Sequence, residues 1–137
     1  MEPCAVKSKE NQKRQESLDA GREYGFTYGL STLSLAHITQ ASQVSKRTLY
    51  KYFGSQESFL VALIQYDGDQ WREWFFDAIR EQADQPHKRL LSFFETLSDW
   101  SSSPSFTGCL FAQVLNNPLA FSDIVQREAK RQMDFLR

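Results

Sequence analysis

The residues most able to do chemistry sit close together: Ser45, Lys46, Arg47, Thr48, Tyr50, Lys51 and Tyr52, with Ser34 eleven positions before Ser45. Three cations with hydroxyls and phenols within two helical turns form a surface that donates to phosphate oxygens and base edges. Their neighbours Val44, Leu49, Tyr52 and Phe53 recur at helical spacing, so the polar residues fall on the opposite side of an amphipathic helix. Ser45 is placed to cap that helix by accepting from amides of its first turn. A solvated helix face with two core aromatics accounts for the same residue types, and charge alone does not separate the two readings.

Elsewhere the chemistry is sparse. Among 137 residues there are two histidines and two cysteines. Cys4 and Cys109 lie too far apart for a metal motif and make no disulfide framework. His37 reads as an exposed helix residue and His87 as a first-turn surface residue. No Ser or Cys nucleophile has a His at a motif spacing, and no Gly-rich phosphate loop occurs, so no enzymatic activity, cofactor or metal is expected. A small hydrolase is a distant competitor. The start of the chain lacks an apolar signal core, and no apolar run is long enough to span a bilayer, which points to a cytoplasmic protein without membrane contact.

The elements that position the polar cluster read as helices throughout. Residues 1–10 are predicted to be a flexible basic arm with Lys7 and Lys9. A helix is expected over 11–28, stopped at Gly29. Two short helices meet between Ser34 and Phe53 across Ser42-Gln43-Val44-Ser45. A long helix is expected over 56–83, which Gly68 would bend, then helices over 87–101, 108–116 and 120–137, with a loop at Ser101-Ser102-Ser103-Pro104-Ser105. No strand is required. Charge is uneven along the chain: residues 1–60 hold eight Lys/Arg against six Asp/Glu, and residues 61–137 hold eight against eleven. The basic part coincides with the two short helices.

Ser34-Leu35, Ile38, Ala41, Val44-Ser45, Thr48-Leu49-Tyr50, Tyr52-Phe53 and Glu57 together resemble the helix-turn-helix of the TetR-type bacterial transcriptional regulators. Phe106-Thr107-Gly108-Cys109-Leu110-Phe111 resembles a stretch of that family's ligand domains. Thr39, Gln43, Arg47 and Gln56 depart from the pattern. They replace, in turn, a small Ala at the contact of the two helices, the turn glycine, a second glycine and a phosphate-binding Lys. A left-handed Gln43 would cost about 1 kcal/mol.

The resemblance implies an all-α fold. Residues 11–54 would form a three-helix DNA-binding head and residues 55–137 a helical effector-binding and dimerisation domain, incomplete here because the family continues through two long helices. It implies a cytoplasmic bacterial repressor that binds double-stranded operator DNA as a homodimer and is released by a small-molecule effector. Ser34, Ser45, Lys46, Arg47, Thr48, Tyr50, Lys51 and Tyr52 would contact DNA, with Arg47 and Thr48 reading bases. Trp71, Phe75, Phe94, Trp100, Cys109 and Phe111 would line the effector pocket, although plain helical core explains the same residues. Phe121, Ile124, Val125, Met133 and Leu136 would begin a dimer interface, or pack within the chain. The alternative is a helical protein-interaction module whose head no longer reads DNA.

Overall fold

The computed structural model describes residues 2–82, 84–103 and 109–135, with side chains described from residue 8 onward except that of Gln82. The helices are α1 (Glu2–Tyr28), α2 (Leu35–Ser42), α3 (Lys46–Phe53), α4 (Gln56–Gln82), α5 (Pro86–Ser102), α6 (Leu110–Asn116) and α7 (Asp123–Asp134), with single 3-10 turns at Leu30–Thr32 and Pro118–Ala120. Phe106-Thr107-Gly108, Pro104-Ser105 of the predicted 101–105 loop and Leu136 lie outside the described residues, while Ser101 and Ser102 of that loop are the last residues of α5 instead.

The predicted basic arm is helix instead: α1 begins at Glu2, and no flexible segment separates residues 2–10 from the rest of it. Lys, Glu, Gln and Arg are good helix formers, and the side chains add local ties. Gln12 Nε2 donates to Glu16 at 3.1 Å, and Ser17 Oγ donates to the Lys13 carbonyl at 2.8 Å. The helix stops at Gly29, whose φ of 89° and amide bond back to the Gly25 carbonyl close its C-terminus.

One hydrophobic core serves both halves of the chain. Leu18 of α1, Leu35 and Ile38 of α2, Leu49 and Phe53 of α3, and Phe59, Leu60, Leu63 and Ile64 of α4 are joined by Leu110, Phe111 and Val114 of α6 and by Val125 and Ala129 of α7. Burial of such side chains contributes roughly 1.5–3 kcal/mol each, and their sharing ties the head to the body. Glycine permits the closest approach: a Cβ on Gly25 would stand 2.9 Å from both Leu110 Cδ2 and Leu30 Cδ2.

Gly68 does not interrupt α4, which runs unbroken from Gln56 to Gln82. Its function is room, because a Cβ there would come within 2.1 Å of Gln132 Oε1. Gln132, buried on α7, accepts from Arg72 Nη1 at 2.7 Å and donates to Glu128 Oε1 at 2.7 Å, making the α4–α7 seam polar inside. Burial alone would raise the Glu128 carboxyl, but hydrogen bonds from Arg131, Gln132 and Gln65 outweigh it and hold its pKa below the ordinary value. Among the described residues no helix is long and apolar enough to cross a membrane.

Candidate DNA-binding surface

The surface is built on α3. Leu49 and Phe53 are buried beneath it, while Lys46, Arg47, Tyr50 and Lys51 are exposed and Thr48 and Tyr52 are half-buried at the edge. Ser45 caps the helix as its spacing requires, its Oγ accepting from the Thr48 amide at 3.1 Å and lying 2.7 Å from Thr48 Oγ1. Arg14 of α1 lies over the Phe53 ring, 5.3 Å from its centroid, clamping the C-terminal end of α3.

The turn before α3 is made by Gln43, the one non-glycine residue with positive φ among those described, at φ 59° and ψ 14°. Its amide closes α2 by donating to the Thr39 carbonyl at 3.0 Å. Thr39 is half-buried on α2, and its Oγ1 is buried without a hydrogen-bond partner. Gln56, in the place of a phosphate-binding Lys, donates from Nε2 to the Leu33 carbonyl at 3.1 Å and braces the entry to α2.

Ser34 caps α2, and His37 is not a free surface residue. Its Nδ1 accepts from the Ser34 amide at 3.2 Å, and its ring stacks on Tyr24 at 4.6 Å. His37 therefore takes the part of the acid in a capping box, because position 37 is the third helical residue after Ser34.

Glu10 and Lys13 of α1, both beside α3, escaped the sequence reading. Lys51 Nζ lies 3.3 Å from Glu10 Oε1 of α1, an exposed ion pair, and Lys9 and Lys13 border the same groove with Thr48 and Tyr52. The signal was a Lys-Glu-x-x-Lys repeat at helical spacing, which only becomes informative once α1 is known to extend through it. Lys9 and Lys13 add two cations beside α3, while Glu10 offsets Lys51.

The six residues assigned to an effector pocket separate into three groups. Trp71, Phe75 and Trp100 meet at the α4–α5 interface, with ring centroids 4.9 Å apart for Trp71–Phe75 and 5.6 Å for Trp71–Trp100. Phe111 belongs to the main core, with Cys109 packed against it. Burial raises the Cys109 thiol pKa, so the thiol is protonated near neutral pH and a weak nucleophile. Phe94 is corrected: it is 61% exposed, because it lies about 100° round α5 from Phe93, the residue that meets Phe75 edge-on. Of the predicted dimer-interface residues, Val125 is also corrected, being buried in the core; Phe121 and Met133 pack against that core, and Ile124 is exposed.

A polar joint connects this body to the head. Asp67 of α4, 1% exposed, accepts from Arg22 Nε of α1 at 2.6 Å and from the Leu110 amide at the start of α6 at 3.3 Å. Gln113 of α6 donates from Nε2 to the Gly25 carbonyl at 3.0 Å and accepts from the Leu30 amide at 3.0 Å. Any displacement of α6 must strain these bonds or move α1.

Residues 18–63 match the family described as bacterial regulatory proteins, tetR family. The HTH-type transcriptional repressor NemR of Escherichia coli K12 is similar, 23% identical over 105 residues that cover 76% of this chain and 53% of NemR. The chain thus spans about half the length of the curated relatives it matches. Among solved structures, the reduced form of E. coli NemR superposes with a TM-score of 0.74 at 18% identity, covering 88% of this chain and 63% of that one. SCO4454 of Streptomyces coelicolor gives 0.75 at 21% identity, with 91% and 66% covered. A regulator from Agrobacterium tumefaciens gives 0.76 at 14% identity, with 93% and 66% covered. The all-helical fold is shared with these structures, and the match to the tetR-family model falls on residues 18–63, which hold the helix-turn-helix of α2 and α3.

Proposed function

We propose that the chain is a DNA-binding transcriptional repressor, with residues 11–54 as its reading head and residues 55–137 as its effector-binding and dimerising body. The observation that carries this is the presentation of α3, capped by Ser45, with Leu49 and Phe53 anchored and Lys46, Arg47, Tyr50 and Lys51 turned to solvent. Arg47 and Thr48 read base edges. Ser34, Ser45, Lys46, Tyr50, Lys51 and Tyr52 bind the backbone, with Lys9 and Lys13 of α1 adding to that grip.

Two copies place their α3 helices in successive major grooves about 34 Å apart on a palindromic operator. A small molecule in the body releases the operator by shifting α6, which the Asp67 and Gln113 bonds transmit to α1. For that to work the ligand must favour one head arrangement over the other. Lys51 must exchange Glu10 for phosphate on binding. The exposed Lys51–Glu10 pair costs on the order of 0–1 kcal/mol to break.

The test is a salt-dependent binding assay on operator-like DNA with Arg47→Ala and Lys51→Ala. Loss of affinity in both, with a shallower salt slope for Lys51→Ala, is expected; unchanged binding in both rejects the assigned helix. A second reading, a helical protein-interaction module with a degenerate head, is favoured by the exposed Leu90, Leu91 and Phe94 of α5. It predicts no DNA affinity above that of a generic acidic-to-neutral surface.

A further inference from the structure

The face of α5 that points away from α4 is apolar and uncovered. Ser92 and Thr96 are the buried side chains of α5 and mark its seam with α4. At about 100° per residue, Leu90, Leu91 and Phe94 fall on the far side of the helix from that seam. They are 64%, 61% and 61% exposed. Single exposed apolar side chains are ordinary, but three in adjacent turns form a contiguous stripe of the kind that marks an interaction surface.

The charges of the same helix run against its own dipole. A helix favours anions at its N-terminus and cations at its C-terminus. The first turn of α5 holds Lys88 and Arg89 and no acid, whereas the last turn holds Asp99 and no base. Glu95 and Asp99 are four residues apart, so they also repel one another along the helix. Among the described residues Lys88, Glu95 and Asp99 join no ion pair. All three are exposed and lie on one flank of the apolar stripe, about 70–110° round the helix from the line between Leu91 and Phe94.

An antiparallel second α5 compensates both features. A two-fold axis crossing the helix midway between Leu91 and Phe94 sets each Leu91 against the Phe94 of the other copy. It also brings the same flank of both helices together. Lys88 of one copy then stands level with Leu97 of the other, about 3 Å along the axis from both Glu95 and Asp99. The contact occurs twice, with each basic end against an acidic end.

We propose that the outer face of α5 is a self-association surface that pairs two copies of this chain antiparallel. Leu90, Leu91 and Phe94 form its centre, and Lys88 of each copy faces Glu95 and Asp99 of the other. This is neither the α7 stripe nor the later long helices to which the family resemblance points. It rests on the reading of the body as dimerising and stands apart from DNA binding.

The test is sedimentation equilibrium of the full chain at about 10–500 µM, beside Phe94→Asp, Lys88→Glu and the double variant Glu95→Lys/Asp99→Lys. Every substituted position is exposed, and circular dichroism checks that each variant is folded. A reversible dimer of the unsubstituted chain is expected, weakened about a hundredfold in Phe94→Asp. Each charge-reversed variant is expected to weaken it about tenfold, because two like-charge contacts replace two attractive ones. An equimolar mixture of the two charge-reversed variants is expected to regain the affinity of the unsubstituted chain, since opposite charges face one another again at both contacts. A chain that stays monomeric throughout overturns the proposal. So does a dimer that Phe94→Asp leaves intact, or a mixture as weak as its components. Binding to duplex DNA is measured alongside. A dimer that obeys these substitutions in a chain without DNA affinity upholds the surface and rejects the regulator, and DNA binding by a chain whose dimer ignores them rejects the surface alone.

Discussion

Arg22→Met should destabilise the chain far more than removal of an ordinary surface ion pair, because it strands a carboxylate. Asp67 is 1% exposed, and Arg22 Nε at 2.6 Å is its charged partner. Breaking a fully buried pair costs about 3–5 kcal/mol. The Arg22 side chain is 34% exposed, so water reaches part of the pair, and the Leu110 amide still serves Asp67. A loss of about 2–3 kcal/mol is therefore expected for Arg22→Met. Asp67→Asn removes the charge and keeps an acceptor for the Leu110 amide, so it should cost only about 1 kcal/mol. The exposed pair Lys51–Glu10 is the internal control, with about 0–1 kcal/mol expected for Lys51→Met. The assay is urea unfolding followed by circular dichroism at neutral pH, at low and high salt. Screening should erase the Lys51 effect and leave most of the Arg22 effect. Equal losses in Arg22→Met and Lys51→Met, both erased by salt, would refute the buried joint as the link between head and body.

Three further perturbations follow from the geometry. Gln43→Gly relieves a left-handed backbone at φ 59°, and a gain of about 0.5–1 kcal/mol in unfolding free energy is expected; a loss would show that the Gln43 side chain contributes more than its backbone costs. Gly68→Ala places a Cβ 2.1 Å from Gln132 Oε1, so a loss of about 1–3 kcal/mol is expected by thermal or urea unfolding, and a neutral outcome would contradict the tight α4–α7 seam. Glu128 has a folded pKa below its ordinary 4.5, so the native state binds fewer protons there than the unfolded chain. Its contribution is full above about pH 4.5 and is lost as the pH falls through the folded value. Unfolding free energy measured from pH 6 to pH 3 should fall less steeply in Glu128→Gln than in the unsubstituted chain, and superimposed acid limbs would remove Glu128 from the account.

What the sequence by itself determined was what short-range physics controls. Helical periodicity at Leu35, Ile38, Leu49 and Phe53, the serine cap at Ser45, and the stop at Gly29 are local, and each is found where the spacing requires it, whereas Val44 falls in the turn between α2 and α3. The outward set on α3 was legible for the same reason, since the inward set leaves only one face for the cations. Tertiary structure decided everything that depends on a partner from another helix. Phe93 and Phe94 are neighbours with the same side chain, 37% and 61% exposed, and only the direction of α4 lets Phe93 and not Phe94 meet Phe75 edge-on. Val125 looks like an interface residue until its own helix, α7, packs onto α4 and α6. Gly68 reads as a bend in its helix, whereas it is where Gln132 presses closest, as Leu110 does at Gly25. The Arg22–Asp67–Leu110 joint, 45 and 43 residues apart in its two links, leaves no local pattern, because a buried ion pair is specified by which surfaces meet and not by spacing along the chain.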